Sequence, residues 1–404
     1  MQNPPSSVNE FARGGTVLFA AFVGIGVNLA SMVYYSSGIW VRPWQDEFGW
    51  SRAEIGGQQS ISVLVMMLLA TFAGRLIDRY GLRLVTTLSL AGYGILLLGF
   101  TLMNGPIWQL YLLSAAYAVF GVASTGLAFT RAVNAFFVKH RGLALGISLT
   151  STGVMAYAMP KFMTPYVAEN GWRAGFVVMF LIVMAALPIV YFLIKDAPED
   201  DGSQDPAVVQ AQTGLSFAQA IRHPTFWKVG SIFFLISVAI LGLIPAFIPM
   251  LQDAGLSPAE AGGLGAILGL SVMFGRLLVG FMIDRIFAPY LTAVVFTGVG
   301  LGCLLLGMGG IGYAMAAAIA LGFAVGAEVD LIGYYTARYF GLANYGAIYG
   351  LQYSIFIFGA GVSPIYTGYI WDVTGNYDIA LIMAAVLMVP VVLISLSLPK
   401  FENA

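Results

Sequence analysis

The stretch Gly74-Arg75-Leu76-Ile77-Asp78-Arg79-Tyr80-Gly81-Leu82-Arg83 packs three arginines and one aspartate between two long apolar runs. Its core returns 206 positions later as Gly280-Phe281-Met282-Ile283-Asp284-Arg285. A second echo is unrelated to the first: Phe136, Gly142, Gly146 and Pro160 match Phe340, Gly346, Gly350 and Pro364 at a spacing of 204. Two landmarks at nearly one spacing mark a parallel internal duplication.

Around these landmarks the chain is too apolar for water. Of 404 residues, 9% are charged and 59% apolar, where soluble proteins carry about 25% charge. A membrane span needs about 20 apolar residues, which leaves room for about a dozen. The apolar runs predict helices over 15–40, 54–76, 82–103, 107–133, 142–166 and 173–194, then over 226–250, 260–282, 290–308, 311–335, 345–370 and 378–398. The expected fold is an all-α membrane protein of twelve transmembrane helices in two six-helix pseudo-symmetric bundles. The expected organisation is a tail 1–14, a bundle 15–195, a polar linker 196–224, a bundle 225–398 and a tail 399–404. The linker's end, 215–222, has apolar residues at Leu215, Phe217, Ala218 and Ile221, the pattern of a short amphipathic helix on the membrane surface. Counted by alternate loops, twelve Lys or Arg fall on one side and only Arg42, Arg52, Lys161 and Arg173 on or near the other. The positive-inside rule then puts both termini and the linker in the cytoplasm of a multi-pass inner (plasma) membrane protein.

Several function classes drop out. A net charge of -1 and the lack of a basic patch exclude nucleic acid. One cysteine, Cys303, and two histidines, His140 and His223 at helix ends, leave no disulfide and no ordinary metal site. No cofactor is expected. The chain has no GxxxxGK[ST] for ATP and no catalytic constellation, so it is not expected to be an enzyme. The expected partners are a small organic anion, with a proton as a candidate co-substrate, and the lipid bilayer, for a protein working as a monomer.

The stretch from Gly74 to Arg83 resembles the signature loop of the major facilitator superfamily, whose second copy stands where Gly280 to Arg285 does. Gly74 and Gly81 permit close helix approach and a tight turn, and Asp78 can accept bonds from a helix N-terminus. The resemblance implies that Gly74, Asp78 and Arg79, with Asp284 and Arg285, latch the cytoplasmic ends of the halves in the outward-open state. Three further segments narrow it: Tyr35-Ser-Ser-Gly38 running into Phe48-Gly49-Trp50-Ser51-Arg52-Ala53, Arg141 to Ile147, and Gly326-Ala-Glu328-Val-Asp330 with Arg338-Tyr-Phe340-Gly341. Together they resemble the bacterial monocarboxylate-porter and oxalate/formate-antiporter branch.

Charges within the spans are rare and need a reason, since each costs at least about 2.5 kcal/mol. They are Arg131, Arg276, Glu328 and Asp330. Arg276 precedes Asp284 by eight residues, about 12 Å inside the helix end, far for snorkelling. A planar fork of donors suits it to a carboxylate, and the branch resemblance implies the same role; the alternative is an ion pair with Glu328 or Asp330. The animal monocarboxylate carriers have an Asp four residues earlier, here Val272, and a Lys in helix 1, absent here after Arg13, so the usual proton-coupling pair is incomplete. Glu328 and Asp330 point about 200° apart on one helix. They are read either as gate partners of Arg131, Arg285 or Arg338, or as protonatable coupling groups. Polar and aromatic candidates to orient the anion are Asn28, Tyr34, Tyr35, Tyr117 and Tyr353. The reading is a secondary transporter of a mono- or dicarboxylate by alternating access, with proton symport or antiport left open. Its rivals are an exporter of hydrophobic compounds and a membrane sensor.

Overall fold

In hydrocarbon every backbone N–H and C=O must be bonded within the protein, which confines an α-type chain to unbroken helices except where neighbouring helices cover the break. The computed structural model describes residues 10–137, 140–195, 214–283, 285–341 and 343–401, with the side chains of Leu127 and Arg141 excepted. Among the described residues twelve helices are long and apolar enough to span a membrane. The first six are α1 (Glu10–Val27), α2 (Arg52–Tyr80), α3 (Leu82–Phe100), α4 (Ile107–Phe136), α5 (Gly142–Asn170) and α6 (Trp172–Leu193). The second six are α7 (Pro224–Asp253), α8 (Pro258–Ile283), α9 (Ala288–Gly309), α10 (Ile311–Phe340), α11 (Tyr345–Thr374) and α12 (Asp378–Leu396). Most of the predicted linker and Asp284 lie outside the described residues; the linker's end forms a helix over Phe217–Arg222, capped by Ser216 and Gln219.

The first span runs further than predicted, through a π-turn at Leu29–Val33 into Tyr34–Phe48. Its outer part is fixed by a cluster of rings: Trp44 packs against Trp50, Phe100, Trp172 and Phe176. Other breaks fall at Val122–Ser124 in α4, at Met159–Met163 around Pro160 in α5, and between Ile240 and Leu243 in α7. In α7 the break is covered by α11: the Gly242 N–H donates to Ser363 Oγ at 2.7 Å.

An even number of spans puts the chain termini at one end, the terminal end; the opposite one is the far end. The halves meet at the far end and at mid-depth, through α2 against α11, α5 against α8, and the helix Tyr34–Phe48 against the second part of α7, Leu243–Asp253. Small residues set these distances: a Cβ on Gly56 would lie 2.5 Å from the Pro364 carbonyl oxygen, and one on Gly269 would overlap the Ala156 carbonyl. At the terminal end the same helices part. Gly142 and Gly146 on α5 and Gly346 and Gly350 on α11 face nothing within 4 Å. The structure is closed at the far end and open at the terminal end.

A side chain at Gly269 must therefore push α5 and α8 apart. In double electron–electron resonance on nitroxide pairs across the far end, Gly269→Leu should lengthen the separation by several ångström, and Gly263→Leu, which points into open space, should not. An unchanged distance in Gly269→Leu would refute this account of the seam.

Candidate substrate site and gates

Helices α8 and α10 come together through glycine: a Cβ on Gly275 would stand 2.5 Å from the Phe323 carbonyl oxygen. That approach sets Arg276 of α8 beside the two acids of α10. Arg276 Nε lies 3.4 Å from Asp330 Oδ2, with side-chain exposures of 18% and 36%. The contact is an ion pair without hydrogen-bond geometry: the buried Nε has no hydrogen-bond partner among the described residues. Glu328 points the other way into the packed interior, 3% exposed, and its Oε2 also lacks a partner. Arg276 remains close enough to act electrostatically on it and on Tyr35.

Tyr34, Tyr35 and Tyr353 converge on this group; Tyr34 and Tyr35 meet edge-on at 5.2 Å, and Glu328 acts electrostatically on all three. The Tyr34 hydroxyl reaches across the halves to the Leu241 carbonyl at 3.2 Å, the acceptor freed by the break in α7. Tyr353 belongs to a ladder along α11, Tyr345, Tyr349, Tyr353 and Phe356, with successive centroids 5.5, 5.7 and 5.8 Å apart. The spacing of four or three residues puts these rings on one helix face, and it could have been read from the sequence.

Two of the predicted polar residues stand apart from this group. Asn28 Oδ1 accepts from the Ser31 N–H and caps the π-turn of the first span. The Tyr117 hydroxyl is buried against α2, where Gln58 Nε2 donates to it at 3.2 Å and Ser62 Oγ lies at 3.0 Å.

Of the predicted gate residues, Gly74, Asp78, Arg79, Arg131, Arg285 and Arg338 stand at the open terminal end. Asp78 accepts from the Arg131 guanidinium, and the pair is about 60% exposed. Both partners belong to the first half. The Arg285 guanidinium donates to the Phe281 carbonyl and lies 3.6 Å over that ring, Arg338 lies over Phe401, and Arg79 over Tyr80. Gly74 faces open space. Asp330 thus pairs with Arg276, Glu328 points away from it, and among the described residues neither acid pairs with Arg131, Arg285 or Arg338.

At the far end the halves are joined through Arg52, which the sequence reading counted as a loop charge and as part of a family-like segment and gave no role in a site. Arg52 opens α2, where Ser51 and Glu54 form a capping box. Asp372 of α11 accepts from the Arg52 and Ala53 N–H groups at 2.8 and 2.9 Å, so an acid of one half caps a helix of the other. The Arg52 guanidinium, 3% exposed, meets Asp253 at 2.6 Å, Tyr377 and Gln45. Burial pushes the Tyr377 phenol up, opposed by the charge of Arg52. A cation in the first turn of a helix opposes the helix dipole, and that local conflict was the available signal that Arg52 needed acid partners.

The family model described as Major Facilitator Superfamily matches residues 17–327. The chain is 25% identical over 388 residues to the oxalate:formate antiporter of Oxalobacter formigenes, covering 92% of this chain and 90% of that protein. It is 23% identical over 417 residues to monocarboxylate transporter 11 of Homo sapiens, covering 99% and 86%. Among solved structures, a bacterial homolog of the human lysosomal transporter Spinster superposes with a TM-score of 0.74 at 18% identity over 95% of this chain and 97% of that one. That structure is described as inward-facing and unoccupied. Twelve spans, the internal duplication and the matched family model agree: the chain belongs to the major facilitator superfamily, and it is a multi-pass membrane transporter of a small molecule, not an enzyme.

Proposed function

We propose that the protein carries a small organic mono- or dicarboxylate across the plasma membrane by alternating access, with Arg276 as the anion's anchor. One observation carries this reading: a guanidinium held within the bundle by an ion pair with Asp330 that lacks hydrogen-bond geometry. A buried charge so poorly met is costly, and a substrate carboxylate supplies two parallel bonds to it. Tyr35 and Tyr353 offer rings to the carbon skeleton, and Asp330 is the resting counter-ion that the substrate displaces. Relatives named for oxalate, formate and monocarboxylates support the substrate class. By the cation count the terminal end is cytoplasmic, so the open end faces inward. Gly74, Asp78, Arg79 and Arg131, with Arg285 and Arg338, would then close the cytoplasmic end in the opposite state, in a protein that works as a monomer.

Coupling follows from charge. One cation faces two carboxylates, Glu328 and Asp330, so adding an anionic substrate leaves excess negative charge unless a proton enters. Uptake of one anion against 100 mV also costs about 2.3 kcal/mol, which a co-transported proton removes. We assign the proton to Glu328, whose buried Oε2 lacks a partner. The alternative, exchange of one carboxylate for another, is favoured by the antiporter relative that spans 92% of the chain.

Uptake of labelled oxalate, formate, acetate and lactate into proteoliposomes tests both points. Arg276→Lys, which keeps the charge but loses the fork, should lower uptake of the transported acid at least about tenfold at unchanged insertion, a loss of roughly 1.4 kcal/mol; near-normal affinity would defeat the anchor. Glu328→Gln should abolish accumulation driven by a pH gradient while sparing counterflow exchange. A wild-type protein that exchanges an acid but never concentrates it from an acidic exterior would place it with the antiporters.

A further inference from the structure

The far end holds a second buried guanidinium, and nearly everything that touches it comes from the opposite half. Arg52 Nη1 lies 2.6 Å from Asp253 Oδ2 in an ion pair and donates to the Tyr377 hydroxyl at 2.8 Å, and its Cζ lies 3.7 Å over the Trp371 ring. Only Gln45 Oε1, accepting from Nε at 2.9 Å, belongs to its own half. Asp253 meets the fork in an ion pair without hydrogen-bond geometry, and its other oxygen lies 3.7 Å from Arg42 Nε. Nη2 has no hydrogen-bond partner among the described residues. Against this side chain, between the halves, lies a cavity of about 40 Å³ lined by Ser37, Gln58, Gln59, Thr367 and Tyr377. It has room for about three waters.

We propose that Arg52 is a second carboxylate-recognition site, used when the far end is open, at which the substrate's carboxylate takes the place of Asp253. This rests on the carboxylate reading above and extends it to the mouth of the transporter. Separation of the halves withdraws Asp253, Tyr377 and Trp371 together, and a guanidinium left in a low-dielectric mouth with Gln45 alone is strongly disfavoured. An arriving carboxylate is the mobile group that matches its fork, and can make two parallel bonds to it where Asp253 makes an ion pair without hydrogen-bond geometry. When the halves close again, Asp253 returns to Nη1 and the anion is displaced inward toward Arg276. Arg52 is thus a latch in one state and a ligand in the other, and a carboxylate that binds only the open state draws the protein toward it.

The test follows far-end opening by double electron–electron resonance between nitroxides on Glu169→Cys and Gly312→Cys, with oxalate as the probe, in protein reconstituted in nanodiscs. With Arg276→Ala in the background, oxalate should still raise the far-end-open population, and Arg52→Gln should remove that response. Asp253→Asn takes away the internal competitor, whereas Asp372→Asn loosens the same closed state without touching the guanidinium. Half-saturation should therefore fall about tenfold or more in Asp253→Asn relative to Asp372→Asn. That comparison leaves Arg52 in place, and it stands even if Arg52→Gln fails to insert. Equal half-saturation in the two aspartate variants, or an oxalate response that survives Arg52→Gln, would overturn the proposal. A response present in the wild type but absent with Arg276→Ala would overturn the Arg52 site alone. No response of the wild type to oxalate, formate, acetate or lactate would overturn the carboxylate reading, and this site with it.

Discussion

A guanidinium removed from water has to be met by something, and this fold places two of them where the meeting changes with conformation. At mid-depth Arg276 is met by Asp330 within its own half, through an ion pair that leaves its donors unused. At the far end Arg52 is met across the halves by Asp253 and Tyr377. On the proposed function, the first contact is exchanged for a substrate while the halves stay where they are. The second is broken whenever the far end opens.

The helices supply the distances that make these contacts possible. Membrane helices gain no hydrophobic attraction for one another in lipid, so association depends on close backbone approach at small residues. Gly275 lets α8 reach α10 and brings Arg276 to its acids; Gly56 and Gly269 let α2 and α5 reach α11 and α8 across the halves. The same economy explains the open end. On α5 and α11 the glycines nearer the terminal end meet nothing within 4 Å. The Asp78–Arg131 pair, exposed and confined to one half, stands at that edge.

Much of this was legible in the sequence. The repeated Gly-x-x-Ile-Asp-Arg motif and the composition led to twelve spans in two sets, because hydrocarbon permits few alternatives. The cost of burying charge singled out Arg276, Glu328 and Asp330 without any structure, and the 200° between the two acids anticipated their different exposures. What was not legible depends on contacts between distant segments. Tyr117 and Asn28 have the chemistry of ligands, but one hydroxyl is bonded to α2 and one amide oxygen to a local π-turn. Arg52 sits 320 residues from Asp372, and nothing local says that the two meet. Only the oddity of a cation in the first turn of a helix hinted at it.

The central claim is that this site recognises charge by a bidentate guanidinium. It is tested most directly by equilibrium binding, by isothermal titration of the purified protein with each of a series of small carboxylates and with the matching carboxamides. A carboxamide keeps the shape and loses the charge and one acceptor. The account predicts saturable binding of at least one acid and binding of its amide weaker by about a hundredfold or more. Equal affinity for acid and amide would contradict it.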